Sequence, residues 1–184
     1  MTEFEKMIAG ELYNPADDEL YELRTKAHRL CQDYNKLYDT DEEAREKILR
    51  ELMPNADPDM YLQGPVYFDY GINIYTGKNF YANFSLTILD VCPVTIGDNV
   101  MIGTNVSLLT PVHPLKWQER NELLEYAKPI IIGDNCWLAG NVTVTGGVKI
   151  GSGSVIGAGS VVTRDIPPDV FAAGVPCRVI KQIQ

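Results

Sequence analysis

In the second half of this 184-residue chain an aliphatic residue followed by a small one recurs at multiples of six: Ile96-Gly97, Ile102-Gly103, Ile132-Gly133, Leu138-Ala139, Ile150-Gly151 and Ile156-Gly157. Leu108, Val144 and Val162 fall on the same grid, and Val100, Val106, Cys136, Val142, Val148, Ser154 and Ser160, all small or β-branched, stand four residues after grid positions. Turn-forming pairs follow many anchors, as in IGDN at 96–99 and again at 132–135. A period of six fits neither a helix nor an ordinary strand. A unit that short cannot bury an apolar face alone, so it must stack on copies of itself. This is the signature of a parallel β-helix, with three hexapeptides to a triangular coil of about 18 residues. An antiparallel sandwich would instead alternate with period two and turn every 8–12 residues or so.

The grid is interrupted once, by TPVHPLKWQERNELLEYAKP between Leu109 and Ile130, which carries charges, three prolines and no anchors. Long segments without regular structure inside an ordered domain are commonly functional. The simplest reading is a loop at 110–128 extruded from the solenoid, and it holds His113, the sole histidine outside the N-terminal region.

That N-terminal region follows other rules. Residues 1–60 contain 16 acidic and eight basic side chains, against nine and eight in residues 61–184, so the net charge of −9 belongs almost wholly to the first third. Glycine splits the other way, with Gly10 alone before residue 60. Asn14-Pro15 suits a helix start. Leu20, Leu23, Ala27, Leu30, Cys31, Tyr34, Leu37 and Tyr38 then recur at spacings of three and four, an apolar helical stripe. A second helix is expected from Thr40, which has capping-box spacing to Glu43, and it ends near Pro54. His28, beside the stripe, reads as a surface or edge histidine. The division is therefore a helical cap over 1–60 and a β-helix over 61–184 with a C-terminal tail. Net acidity argues against a surface for duplex nucleic acid. Cys31, Cys92, Cys136 and Cys177 form no C-x-x-C and read as buried free thiols. No apolar run is long enough to span a membrane and the N-terminus has no signal-peptide pattern, so a cytoplasmic location is expected.

The segments NFYANFSLTILDVCP, TPVHP, EYAKPIIIGDNCWLAG, GSVIGAGSVVTRDIPP and AAGVPCRVIK, with KMIAGELYNPADDEL and Arg24 near the start, resemble the maltose and galactoside O-acetyltransferases of the hexapeptide-repeat class. The likeness covers nearly the whole chain. It implies a left-handed β-helix, a homotrimer with sites between subunits, acetyl-CoA as acyl donor, no metal, and a sugar hydroxyl as acceptor. Neither handedness nor trimer state follows from the spacing itself.

Acyl transfer from a thioester to a hydroxyl needs a base and a donor to the oxyanion. Histidine suits the first role near neutral pH. The resemblance makes His113 the base, with direct attack of the acceptor on acetyl-CoA. It makes Glu125 the carboxylate that orients His113, although an exposed loop carboxylate is the plain alternative. Asn83 matches a position that contacts the acceptor and could donate to the oxyanion; a turn or ladder asparagine is its alternative. Tyr81, five residues after the anchor Thr76, points outward beside it. Trp137 follows inward Cys136, so it stands off the prism face, where the resemblance implies an inter-subunit cleft; packing at the core edge is its plain alternative. Asp69 and Asp90 match positions near the acceptor, or are turn aspartates. The resemblance places the donor groove at Gly140, Ala158, Thr163, Arg164, Arg178 and Lys181, with a solvated turn residue as the alternative for Arg164. At the last position arginine is common, and lysine keeps the charge without the bidentate fork. Two other readings remain: an O-acetyltransferase for a non-sugar acceptor such as an antibiotic, and a structural solenoid without an active site. A zinc lyase of the γ-carbonic anhydrase type needs three histidines, and the β-helix region has one.

Overall fold

Every anchor of the six-residue repeat points inward. In the computed structural model, which describes residues 1–37 and 40–184, the nine grid residues from Ile96 to Val162 are at most 2% exposed, and the seven that follow them by four are buried as well. Each fully buried aliphatic side chain contributes about 1.5–3 kcal/mol relative to exposure. The interior is thus one column of apolar side chains. Short parallel strands wind around it into three sheets of seven, four and five strands.

The small residue after each anchor has a steric cause. A β-carbon on Gly97 would lie 2.1 Å from Asp134 Oδ1 and 2.7 Å from Asp134 N, in the coil above. The asparagines of the turns take left-handed backbone (Asn79, Asn99 and Asn135 at φ 55°, 55° and 58°). Their amides form a ladder along one edge, Asn79 Nδ2 donating to Asn99 Oδ1 (2.9 Å) and Asn99 Nδ2 to Asn135 Oδ1 (3.2 Å).

The period changes where the sequence grid starts. Ile132 pairs with Ile150, one 18-residue coil apart, but Phe68 pairs with Ile88, Ile88 with Leu108, and Thr76 with Ile96, each 20 residues apart. The two extra residues enter at one edge of the prism, at 69–73 and 90–93. The long loop at 110–129 leaves from that same edge one coil later. The single interruption expected from sequence is therefore the largest of three expansions stacked on one edge, here called the loop edge.

Among the described residues the cap contains three helices, α1 (Glu3–Ala9), α2 (Asp18–Lys36) and α3 (Glu42–Leu52). Helix α1 was not expected, although Thr2 and Glu5 form a reciprocal capping box and Gly10 closes it in left-handed conformation. The caps of the other two helices differ from the sequence reading. Asp17, rather than Asn14-Pro15, caps α2, and Asn14 instead accepts from Ala16 N in a local turn. Asp41, rather than Thr40, caps α3. Leu20, Ala27, Cys31 and Tyr34 of the stripe are buried, and Tyr38 lies outside the described residues. The Asn35 amide donates to Val66 O (2.9 Å) and accepts from Val66 N (2.7 Å), replacing the next strand at the end of a sheet. Arg45 donates to Leu62 O (2.8 Å) with its guanidinium 5.1 Å from the Tyr34 ring centroid. At the far end, Val170–Ala173 continues its sheet in parallel, and Arg178–Gln182 turns back on it antiparallel. Among the described residues no helix is long and apolar enough to cross a membrane.

Candidate active site

The loop hairpin aligns His113 with Glu125. Pro111–Val112 pairs antiparallel with Tyr126–Ala127, Val112 opposite Tyr126, so the next residues outward face one another. His113 Nε2 lies 3.6 Å from Glu125 Oε2, within ion-pair range though longer than a hydrogen bond. His113 is 53% exposed and Glu125 14%. Burial holds the Glu125 carboxyl above its ordinary pKa. The base of the loop is pinned by Thr110, whose fully buried hydroxyl donates to Leu89 O (2.6 Å) and accepts from Cys92 N (3.0 Å). Its tip is open, with Leu115, Trp117 and Leu123 strongly exposed.

The expanded corners stack beneath this hairpin, and the cap covers them. Met7, Tyr13, Leu20, Tyr70, Val91, Cys92 and Ala127 form a second apolar cluster, separate from the prism core. Three cap residues reach this corner, and for Tyr13 the sequence suggested no place near the site. Tyr13 forms an antiparallel bridge to Glu125 and its hydroxyl donates to Glu125 Oε1. Arg24 Nη1 donates to Tyr70 Oη (3.1 Å), and His28 Nε2 lies 3.7 Å from Asp69 Oδ1. Burial raises the Asp69 pKa, while His28 and Arg24 act in the opposite direction. Tyr13 stood inside the quoted cap motif, but its partner is 112 residues away, and no local pattern announces such a pair.

Asp90 requires a correction. It is fully buried, with Oδ1 accepting from Tyr70 N (2.9 Å) and Oδ2 from Asn73 N (3.2 Å). Its carboxylate ties two expanded corners together and presents nothing to an acceptor. Burial lifts its pKa from 3.8 to about 6, against the opposing amide bonds from Tyr70, Gly71 and Asn73. An acid whose folded-state pKa is raised stabilises the fold most below its unfolded value, and that contribution is lost as pH rises through the folded value. The gain from pH 7.5 to pH 5 should therefore be larger in wild type than in Asp90→Asn, by on the order of 1–3 kcal/mol. Urea midpoints at the two pH values test this, and equal pH dependence in both proteins would contradict it.

The other expected residues sit elsewhere. Thr163 and Arg164 share the loop edge with His113, two coils further along, and both are exposed. Asn83, Gly140 and Ala158 lie on the next edge, across the sheet built from Val66–Phe68, Leu86–Leu89, Ser107–Leu109, Thr143–Thr145 and Val161–Val162. Asn83 Oδ1 accepts from Phe84 N (2.7 Å), which leaves its Nδ2 as the free donor. Tyr81 and Trp137 belong to an outer row running through paired residues Tyr61, Tyr81, Met101, Trp137, Val155, Phe171 and Lys181. Trp137 is 50% exposed and Met101 53%. Arg178 and Lys181, also exposed, close this row at the C-terminal end. Within one chain the expected site residues are thus divided between two edges, with His113 and Arg164 on one and Asn83, Gly140 and Ala158 on the other.

A three-sheet solenoid of stacked hexapeptides is the architecture of the hexapeptide-repeat transferases. The chain matches the maltose acetyltransferase hexapeptide capping motif over residues 6–56, the hexapeptide repeat of succinyl-transferase over 91–113 and the bacterial transferase hexapeptide over 129–164. It is 46% identical to the galactoside O-acetyltransferase of Escherichia coli K12, covering 97% of this chain and 88% of that one. A maltose O-acetyltransferase from Clostridium difficile 630 superposes with a TM-score of 0.96 at 45% identity, over 100% of this chain and 98% of the other. A galactoside acetyltransferase solved in complex with coenzyme A also gives 0.96 at 45% identity, over 100% and 92%. The chain belongs to the maltose and galactoside O-acetyltransferase family, and it is an acetyltransferase.

Proposed function

We propose that this protein transfers the acetyl group of acetyl-CoA to a hydroxyl of a small sugar, with His113 as general base. The observation that carries the reading is the exposed imidazole of His113 set opposite the partly buried Glu125 carboxylate on the long loop of the solenoid. His113 takes the acceptor proton as the hydroxyl oxygen attacks the thioester carbonyl. Glu125 favours the imidazolium so formed. Asn83 Nδ2 donates to the oxyanion, and the intermediate collapses by expelling the coenzyme thiolate, which recovers the proton from His113. Asp69, Tyr81 and Trp137 bound the acceptor. Arg164, Arg178 and Lys181 supply cations for the donor's phosphates, beside the backbone of Gly140, Ala158 and Thr163.

Because His113 and Asn83 occupy different edges of one chain, the working site needs a second copy. A homotrimer in which the loop edge of one subunit meets the Asn83 edge of the next supplies it. The exposed loop tip and the apolar row through Met101 and Trp137 support such a contact. Four buried thiols with no disulfide fit a reducing, cytoplasmic setting.

Thiol release from acetyl-CoA, followed against glucosides, galactosides, maltose and hydroxylated antibiotics, tests the function. Turnover with the sugars is the expected result. Turnover only with an antibiotic would replace the acceptor class, and no release with any acceptor would favour a structural solenoid.

A further inference from the structure

We propose that Tyr13, a residue of the helical cap, is the positioning residue for the Glu125–His113 pair. The inference rests on His113 serving as the base. Tyr13 follows the turn that ends α1 and is 1% exposed. Its main chain pairs with Glu125 in both directions, Tyr13 N to Glu125 O (3.0 Å) and Glu125 N to Tyr13 O (3.3 Å). The returning arm of the loop is thereby held between two neighbours, Pro111–Val112 on one side and Tyr13 on the other.

The side chains divide the carboxylate. Tyr13 Oη donates to Glu125 Oε1, and Glu125 Oε2 is the oxygen that faces His113. With one oxygen anchored, the other cannot rotate away from the imidazole. The hydroxyl also supplies a donor to the charged form of a carboxyl that burial disfavours. Tyr13 and His113 are the titratable groups in contact with the Glu125 carboxylate among the described residues.

The anchor is itself firmly seated. The Tyr13 ring packs in the second apolar cluster with Met7, Leu20 and Ala127. Gly10, at φ +75°, approaches so closely that a β-carbon there would stand 2.8 Å from Ala127 O. Cys92 Sγ reaches Ile8 O at 3.5 Å, tying the expanded corner to the same stretch of the cap. A loop with an open tip is a poor platform for a catalytic pair, since small misplacements cost activity. Tyr13 transfers to that pair the rigidity of the cap.

Tyr13→Phe keeps the ring and deletes the hydroxyl. It should lower kcat about ten-fold or more, with the KM for acetyl-CoA and for the acceptor nearly unchanged. Loss of a donor to the ionised carboxylate raises the Glu125 pKa further, so the acid limb of the kcat–pH profile should move to higher pH. In a Glu125→Gln background the same substitution should cost nothing more and move no limb, because Tyr13 acts through Glu125. Wild-type kcat and pH profile in Tyr13→Phe, or losses that multiply in the double variant, would overturn the proposal. His113→Ala in the same assay separates the two levels. If it is inactive while Tyr13→Phe is normal, only the role of Tyr13 fails. If it retains turnover, the base assignment falls and this inference with it.

Discussion

His113→Ala should reduce kcat for acetyl transfer by about 10²–10⁴-fold, the usual contribution of a positioned general base. Its unfolding midpoint should stay close to wild type. The side chain is 53% exposed, and its recorded ion-pair contact is the 3.6 Å approach to Glu125, so deletion opens no cavity in either apolar cluster. Glu125→Ala is the contrasting case. It would remove the carboxylate facing His113 and also leave the Tyr13 hydroxyl buried without its acceptor, so activity and stability should fall together. A His113→Ala protein that unfolds early would show that the loop depends on the imidazole for its shape. A protein that is both stable and fully active would remove histidine from the mechanism.

Asn83→Ala should cost about 10²–10³-fold in kcat, as expected when one oxyanion donor is deleted. The arrangement of edges adds a result that a site built within one chain could not give. If His113 of one subunit works with Asn83 of the next, trimers assembled from a mixture of His113→Ala and Asn83→Ala chains contain some junctions where both wild-type residues meet. In random equimolar trimers joined head to tail this holds for about a quarter of the junctions. Refolding the two inactive variants together should therefore restore roughly a quarter of wild-type activity. Each variant refolded alone should restore none. Mixed samples no more active than the separate ones would place both residues in the same subunit's site, or remove Asn83 from it.

The sequence revealed the parts of the fold that repeat. Ile132, Ile150 and their neighbours are spaced by whole coils, and each meets the same interior, so one rule describes them all. The loop edge was less legible. A two-residue expansion between Ile88 and Ile96 shifts the grid without leaving a mark that differs from an ordinary turn. Asp90 shows the same limit at the level of chemistry. An acidic residue after a strand reads alike whether it faces solvent or accepts from Tyr70 N and Asn73 N beneath the surface. His113 stood out because it interrupts the pattern. Glu125 could be matched to a family position, yet its partial burial and its division between Tyr13 and His113 depend on contacts made across the fold. The proposal that residues on two edges belong to one site could not come from spacing, which does not say where a neighbouring copy stands.

The two ends of the solenoid bear on how the protein can associate. A stack of parallel coils is in principle a polymer, because its last coil exposes the same backbone groups that bound the one before it. Here growth is stopped at both ends. Asn35 occupies the backbone groups of Val66 at one end, with Arg45 set over Tyr34 beside it. At the other, Arg178–Gln182 reverses direction on Val170–Ala173 and offers the wrong polarity for another parallel turn. With lengthwise addition blocked at these strands, the sides of the prism are left for contact between copies. Sideways contact is the mode that the proposed ring of three requires.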